Sequence, residues 1–440
     1  MIGTENCDAR VRGPADVERF ARRCFRGSPD PSGPADPPDP PASPSHGSSP
    51  SHGSSGSSGD RVGVELEFLV FDRAEPSRQV TVARIVDALP PLTRGSALTF
   101  EPGGQLELSG PAAPLARAVR DMTADLETAR RALADDGLLL AGIGLDPIRP
   151  PLRQLRQPRY EAMADLLGVP YGPMMMCLSA SIQVNVDFGD RPHVRWHRAN
   201  ALGPVLNAAF ANSPLSGGRP CGWMSGRQAV WLHLDSTRTR PVTGDGDPAA
   251  AWARYLVDAR LMLLREKGTR RPPTPSRATF GDWMRSPHLG GHPPTLRDLT
   301  YHATTVFPPV RPRGWLEIRY LDALPVRWWP VCVAVTCALL LDDRAADAAL
   351  AAAGPLADRW WHAAHVGLGD ERVRRAADAC FRAAAGALPR LGAEPWLVTD
   401  VESYADRHVT PGRSPAVDAL TRSRGPGAGP LAWLSEEVAA

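Results

Sequence analysis

The stretch Gly63-Val64-Glu65-Leu66-Glu67-Phe68-Leu69-Val70 limits what this chain can become. It is apolar enough for a central strand, yet it carries two carboxylates two residues apart. Side chains on a strand alternate between faces, so Glu65 and Glu67 share one face while Val64, Leu66 and Phe68 share the other. Two carboxylates about 7 Å apart on one buried face repel each other unless a cation sits between or above them. The other reading is the solvated outer face of a half-exposed sheet, and this stretch by itself does not choose.

Three further segments repeat the pattern. Residues 97–109 read as a hairpin: Leu98-Thr99-Phe100-Glu101, the turn Pro102-Gly103-Gly104, then Gln105-Leu106-Glu107-Leu108-Ser109. A Pro-Gly step fits a tight turn in which glycine supplies a positive φ. Gln105 and Glu107 share a face. Ser179–Asp187 alternates five polar residues, Gln183 and Asn185 among them, with Ala180, Ile182, Val184 and Val186. The five include no Lys, Arg or Glu, which suits a ligand-lined floor better than open water, although an ordinary half-exposed strand would also alternate. Trp315–Tyr320 places Glu317 and Arg319 together. An antiparallel sheet would bring these polar groups onto one concave face, with helices covering the apolar back, an α+β fold. Carboxylate and amide oxygens are hard ligands suited to Mg²⁺ or Mn²⁺. Arg149, Arg227, Arg311 and Arg313 lie in Gly- and Pro-rich loops. Carboxylates and arginines together describe a site for metal-bridged polyphosphate.

Residues 14–26 form a first helix, and 28–59, nearly all Gly, Pro, Ser, Asp and His, a disordered insert. Helices are expected over 79–89, 113–136, 194–212 and 247–264. Leu138–Leu145 reads as a buried strand, and Arg227 as leading a strand at Ala229–Asp235. The basic, Pro-rich 267–278 reads as a mobile loop or lid, and the chain beyond 326 as helical. This divides it into an N-terminal helix (1–27), the insert (28–59) and one large domain (60–440).

A formal net charge of +2 argues against an extended nucleic-acid footprint. Seven scattered cysteines without a Cys-x-x-Cys read as reduced thiols, not a disulfide framework or zinc site. No run reaches transmembrane length and no signal peptide is visible, so a cytoplasmic protein with no membrane partner is expected. Phosphate-binding P-loop, dinucleotide and Gly-x-Ser-x-Gly signatures are missing from the sequence.

The block Glu101-Pro102-Gly103-Gly104-Gln105-Leu106-Glu107-Leu108-Ser109-Gly110 resembles the signature of plant-type glutamate–cysteine ligases. Other matching pieces follow in order: Gly142-Ile143-Gly144, Arg159-Tyr160, Gln183-Val184-Asn185-Val186-Asp187, Phe210-Ala211-Asn212-Ser213-Pro214, Ser225-Gly226-Arg227, Phe307-Pro308-Pro309-Val310-Arg311 and Leu316-Glu317-Ile318-Arg319. The resemblance runs from about residue 60 to 325. Pro312–Glu317 is similar to the bacterial branch that serves ergothioneine biosynthesis. The resemblance implies a glutamine-synthetase-like catalytic core, an antiparallel sheet with helices on its outer side, within the domain of residues 60–440. It implies ATP-dependent ligation of the γ-carboxylate of L-glutamate to L-cysteine through a γ-glutamyl phosphate; a related carboxylate–amine ligase with another acceptor is the alternative. It further implies Glu65, Glu67, Glu107 and Glu317 as Mg²⁺ ligands, with Gln183 and Asn185 lining the metal–substrate floor. Arg149 and Arg227 become candidates for the glutamate α-carboxylate, Tyr160 a further substrate contact, and Arg311, Arg313 and Arg319 phosphate-binding catalytic groups.

Overall fold

The computed structural model describes residues 7–26, 59–242, 246–264 and 277–424. Its centre is β1 (Val62–Asp72), an eleven-residue strand buried almost throughout. The other strands are β2 (Ala97–Phe100), β3 (Leu106–Ser109), β4 (Leu138–Ala141), β5 (Ser181–Val186), the two-residue pair β6 (Leu215–Ser216) and β7 (Arg219–Pro220), β8 (Val310–Pro312) and β9 (Leu316–Asp322). The main sheet runs β2-β3-β1-β5-β9-β8, with β4 also paired to β1, and these pairings are antiparallel.

The back of the sheet is apolar, as the alternation requires. Val64, Leu66, Phe68, Leu106, Leu108, Ile182, Val184 and Ile318 join one hydrophobic cluster. The helix Leu115–Asp135 lays its buried stripe (Leu115, Val119, Met122, Leu126, Leu133) against β1 and β4. Behind β5 lies Trp329–Leu341, apolar on every side and buried along almost its whole length, as a helix enclosed by other elements must be. The helix Pro14–Cys24 and the C-terminal helices up to Pro395–Tyr404 belong to the same cluster.

Three expectations change. Arg227 does not lead a strand: Gly226–Leu232 is a helix, started by the Ser225 side chain accepting from the Gln228 amide. The segment after residue 138 is strand only to Ala141. Beyond it, a Cβ on Gly142 would stand 1.9 Å from the Leu324 carbonyl oxygen, and one on Gly144 2.6 Å from the Asp322 carboxyl carbon. These glycines turn the chain against the end of β9 instead of continuing the ladder. The expected helix over 247–264 is helical only at Pro248–Asp258. The 28–58 part of the insert and most of the 267–278 loop lie outside the described residues.

Candidate active site

The front of the sheet collects the polar residues, and register fixes their order. Glu67 pairs with Glu107 across β1 and β3, and Glu65 with Gln183 across β1 and β5. Asn185 pairs with Glu317 across β5 and β9, and Arg311 with Glu317 across β8 and β9. The floor is acidic on the β2–β3–β1 side and basic on the β9–β8 side.

On the acidic side, Glu67, Glu101 and Glu107 each offer a carboxylate oxygen, and these lie within 4.8 Å of one another. Glu101 is a site residue that the strand pattern of the sequence does not assign. Its signal was the alternation Ala97, Thr99, Glu101, which carries the β2 face one step past the strand end. The turn holds it there: Gly104 has φ 90°, Pro102 O accepts from the Gln154 amide at 2.7 Å, and a Cβ on Gly103 would lie 2.4 Å from Cys177 O. Burial raises the pKa of Glu101 well above the ordinary value, and Glu67 and Glu107 raise it further. Burial and Glu67 also raise Glu107. Burial, with Glu107 and Glu317 adding, pushes Glu65 up to about 7. Glu67 is raised by burial despite Arg227 and Arg319, and accepts from Ser181 N at 2.8 Å and Gln183 Nε2 at 3.0 Å. Crowded, buried carboxylates that share a face are the donor set of a hard divalent cation, so the fit to Mg²⁺ rests on this cluster.

Glu317 sits differently. Arg311 grips it with a fork at 2.5 and 3.0 Å, and Arg313 and Arg319 each approach at 3.2 Å. Burial alone would raise this carboxyl, but Arg311, Arg319 and Arg313 outweigh it and hold it well below the usual range. Gln183 joins the two halves: its Nε2 donates to Glu67 and its Oε1 accepts from Arg319 at 2.6 Å. Asn185 donates to Glu65 Oε1 at 2.8 Å.

Arg227 is 2% exposed and donates to Arg319 O at 2.8 Å. Its Nε and Nη1 are buried with no partner among the described residues. An unsatisfied buried guanidinium donor is costly, so these two N–H groups call for a partner. Arg149 is differently placed: it pairs with Asp146 at 2.6 Å, donates to Val70 O and stacks over Phe71 at 3.8 Å. Tyr160 packs from the helix Pro158–Leu167 onto a second apolar cluster with Met163 and Met175.

A model of the family described as "Glutamate-cysteine ligase family 2 (GCS2)" matches residues 61–437. The chain is 42% identical over 387 residues to glutamate–cysteine ligase EgtA of Mycobacterium tuberculosis, covering 82% of this chain and 89% of that protein. It is 41% identical to EgtA of Mycolicibacterium smegmatis, over 82% of this chain and 90% of the relative. With the chloroplastic glutamate–cysteine ligase of Arabidopsis thaliana it shares 31% over 266 residues, 58% of this chain and 51% of the plant protein. A solved structure of a Francisella tularensis glutamate–cysteine ligase in complex with AMP resembles it in fold. The TM-score is 0.50 at 13% identity, over 86% of this chain and 87% of that one.

Proposed function

The chain belongs to glutamate–cysteine ligase family 2, and from that premise we propose that it joins the γ-carboxylate of L-glutamate to the amine of L-cysteine at the expense of ATP. The product is γ-glutamylcysteine, made in the cytoplasm for ergothioneine biosynthesis. The observation that carries the reading is the divided floor: Glu65, Glu67, Glu101 and Glu107 on one side of Gln183, and Arg311, Arg313 and Arg319 on the other.

A free carboxylate is a poor electrophile, so the reaction needs a leaving group. A γ-carboxylate oxygen attacks the γ-phosphorus of ATP, and the bond to ADP breaks. The cysteine nitrogen then attacks the acyl carbon of γ-glutamyl phosphate, and phosphate leaves with the bonding pair as the amine loses its proton. Both steps move charge over phosphoryl oxygens, which fixed cationic donors stabilise. Arg313 and Arg319, with 22% and 16% of their side chains exposed, can meet the phosphates; Arg311, at 6%, serves by holding Glu317. Glu65, Glu67, Glu101 and Glu107 would hold Mg²⁺, whose charge would offset their mutual repulsion and that of the phosphate oxygens. Arg227 is the better partner for the glutamate α-carboxylate, because its buried Nε and Nη1 are unspent whereas Arg149 is paired with Asp146.

The test is phosphate release from Mg²⁺–ATP and L-glutamate, with and without L-cysteine, together with a mass spectrum of the product. Cysteine-dependent release with the mass of γ-glutamylcysteine is expected. Release that requires a different amine would keep the acyl-phosphate chemistry and move the chain to another carboxylate–amine ligase.

A further inference from the structure

Asn185 presents a choice that its own side chain does not settle. Its amide can point oxygen or nitrogen at Glu65, and only the nitrogen can donate to a carboxylate. The other end of the amide meets the indole of Trp315, whose Nε1 lies 3.2 Å from Asn185 Oδ1. An indole N–H donates and never accepts. The indole therefore fixes the amide with oxygen toward Trp315 and nitrogen toward Glu65 Oε1, at 2.8 Å. Reversing it would set donor against donor and a carbonyl oxygen against a carboxylate. Asn185 is 5% exposed and Trp315 8%, so water does not readily replace either contact.

We propose that Trp315 is a positioning residue that acts through Asn185 to hold Glu65 in one orientation, leaving its second oxygen turned to the cation and substrates. The inference rests on the proposed role of Glu65 as a cation ligand.

What holds the indole supports this. Trp315 follows Gly314, which has φ 89° at the tip of the β8–β9 hairpin, and both residues are buried. The Gly314 amide donates to the carbonyl of Cys24 at 2.7 Å, and the Arg313 amide to the Trp315 carbonyl at 2.9 Å. Cys24 is the last residue of the N-terminal helix, where carbonyls lack helical partners. A hairpin amide and a helix-end carbonyl thus satisfy each other. Phe25, next in sequence, locks the helix end onto Phe188 and Trp196 at 5.2 and 5.1 Å. This helix precedes the segment matched by the family model. It anchors the turn carrying both Arg313 and Trp315.

The experiment is a double-mutant cycle on Mn²⁺ binding to the full-length protein without substrates, read by electron paramagnetic resonance. The variants are Trp315→Phe, Asn185→Ala and both together, with melting temperatures to confirm folding. Loss of a group that orients a ligand costs about 10–100-fold in metal affinity. Trp315→Phe alone is expected to weaken Mn²⁺ by about 10-fold, in the lower part of that range. In the Asn185→Ala background the same change should have no further effect, because it acts through Asn185. Unchanged binding in Trp315→Phe, effects that multiply in the double variant, or no Mn²⁺ binding by the wild type would each overturn the relay. Ligase turnover of the wild type, measured alongside, tests the ligase reading separately. A protein that binds Mn²⁺ with the expected coupling but makes no γ-glutamylcysteine would keep the relay and lose that reading.

Discussion

Glu67 and Glu107 are direct cross-strand partners on β1 and β3, and their carboxylate oxygens lie within 4.8 Å of each other and of Glu101. Like charges directly opposite one another weaken a ladder. Glu317, on the same floor, is enclosed by Arg311, Arg313 and Arg319. The same residue type therefore plays opposite electrostatic parts at the two sides of the site.

Glu107→Gln keeps the acceptor for Ser109 Oγ, now at 2.8 Å from Oε1, and removes one of the repelling charges. The metal-free variant is expected to melt at or above the wild-type temperature, the gain being about 0.2–1 kcal/mol. Its turnover should fall by about 10²–10³-fold, the loss typical of removing one fixed charge from a site of this kind. Calorimetry beside a phosphate-release assay checks both; near-normal turnover would remove Glu107 from the site.

Glu317→Gln should behave in the opposite sense on stability. It strips the shared partner from three arginines, one of them deeply buried. Breaking a buried ion pair on one side costs about 3–5 kcal/mol. Chemical denaturation should show this loss, and a variant as stable as the wild type would contradict the account of Glu317 as an arginine anchor.

Glu101→Gln is expected to match Glu107→Gln, with turnover down by about 10²-fold or more and the fold intact. If Glu101 is only a turn residue, turnover will stay within a few-fold of wild type in the same assay.

Arg227→Lys keeps the charge and loses the planar fork. A hydrogen bond to a charged group is worth about 1.5–3 kcal/mol, so the KM for glutamate should rise about 10- to 100-fold. An unchanged KM for glutamate would take the α-carboxylate away from Arg227.

His302 is buried, stacks on Phe280 at 5.0 Å and meets the Leu256 carbonyl at 2.9 Å through Nε2. Burial, helped by Arg238, depresses its pKa from 6.5 to about 3 despite the Leu256 carbonyl. Below about pH 6.5 the unfolded chain takes up a proton here that the folded protein refuses, so stability falls as pH drops towards 3. His302→Gln removes that proton linkage and should flatten the acid side of a Tm-against-pH curve. A parallel curve would mean that His302 does not contribute to acid unfolding.

Alternation carried much of this legibility. Glu65, Glu67, Glu107, Gln183, Asn185 and Glu317 stand on one face because a period of two is a property of the backbone, readable without any partner. Which of them would meet was a matter of register, and register depends on strand pairing between segments over a hundred residues apart, such as Glu65 and Gln183. Glu101 escaped because it lies just past the end of β2, where alternation is not expected to persist. The helix at Gly226–Leu232 was masked by its apolar run Ala229-Val230-Trp231-Leu232, which also suits a strand; the cap at Ser225 was the deciding signal. The indole–amide contact between Trp315 and Asn185 joins residues 130 apart and had no local trace.

Ligation through γ-glutamyl phosphate leaves an isotopic trace in the released phosphate. L-Glutamate labelled with oxygen-18 in the γ-carboxylate would be turned over with Mg²⁺–ATP and L-cysteine, and the released phosphate analysed by mass spectrometry. One labelled oxygen is expected in each phosphate, because the attacking carboxylate oxygen departs with it. Stoichiometric γ-glutamylcysteine accompanied by unlabelled phosphate would contradict it.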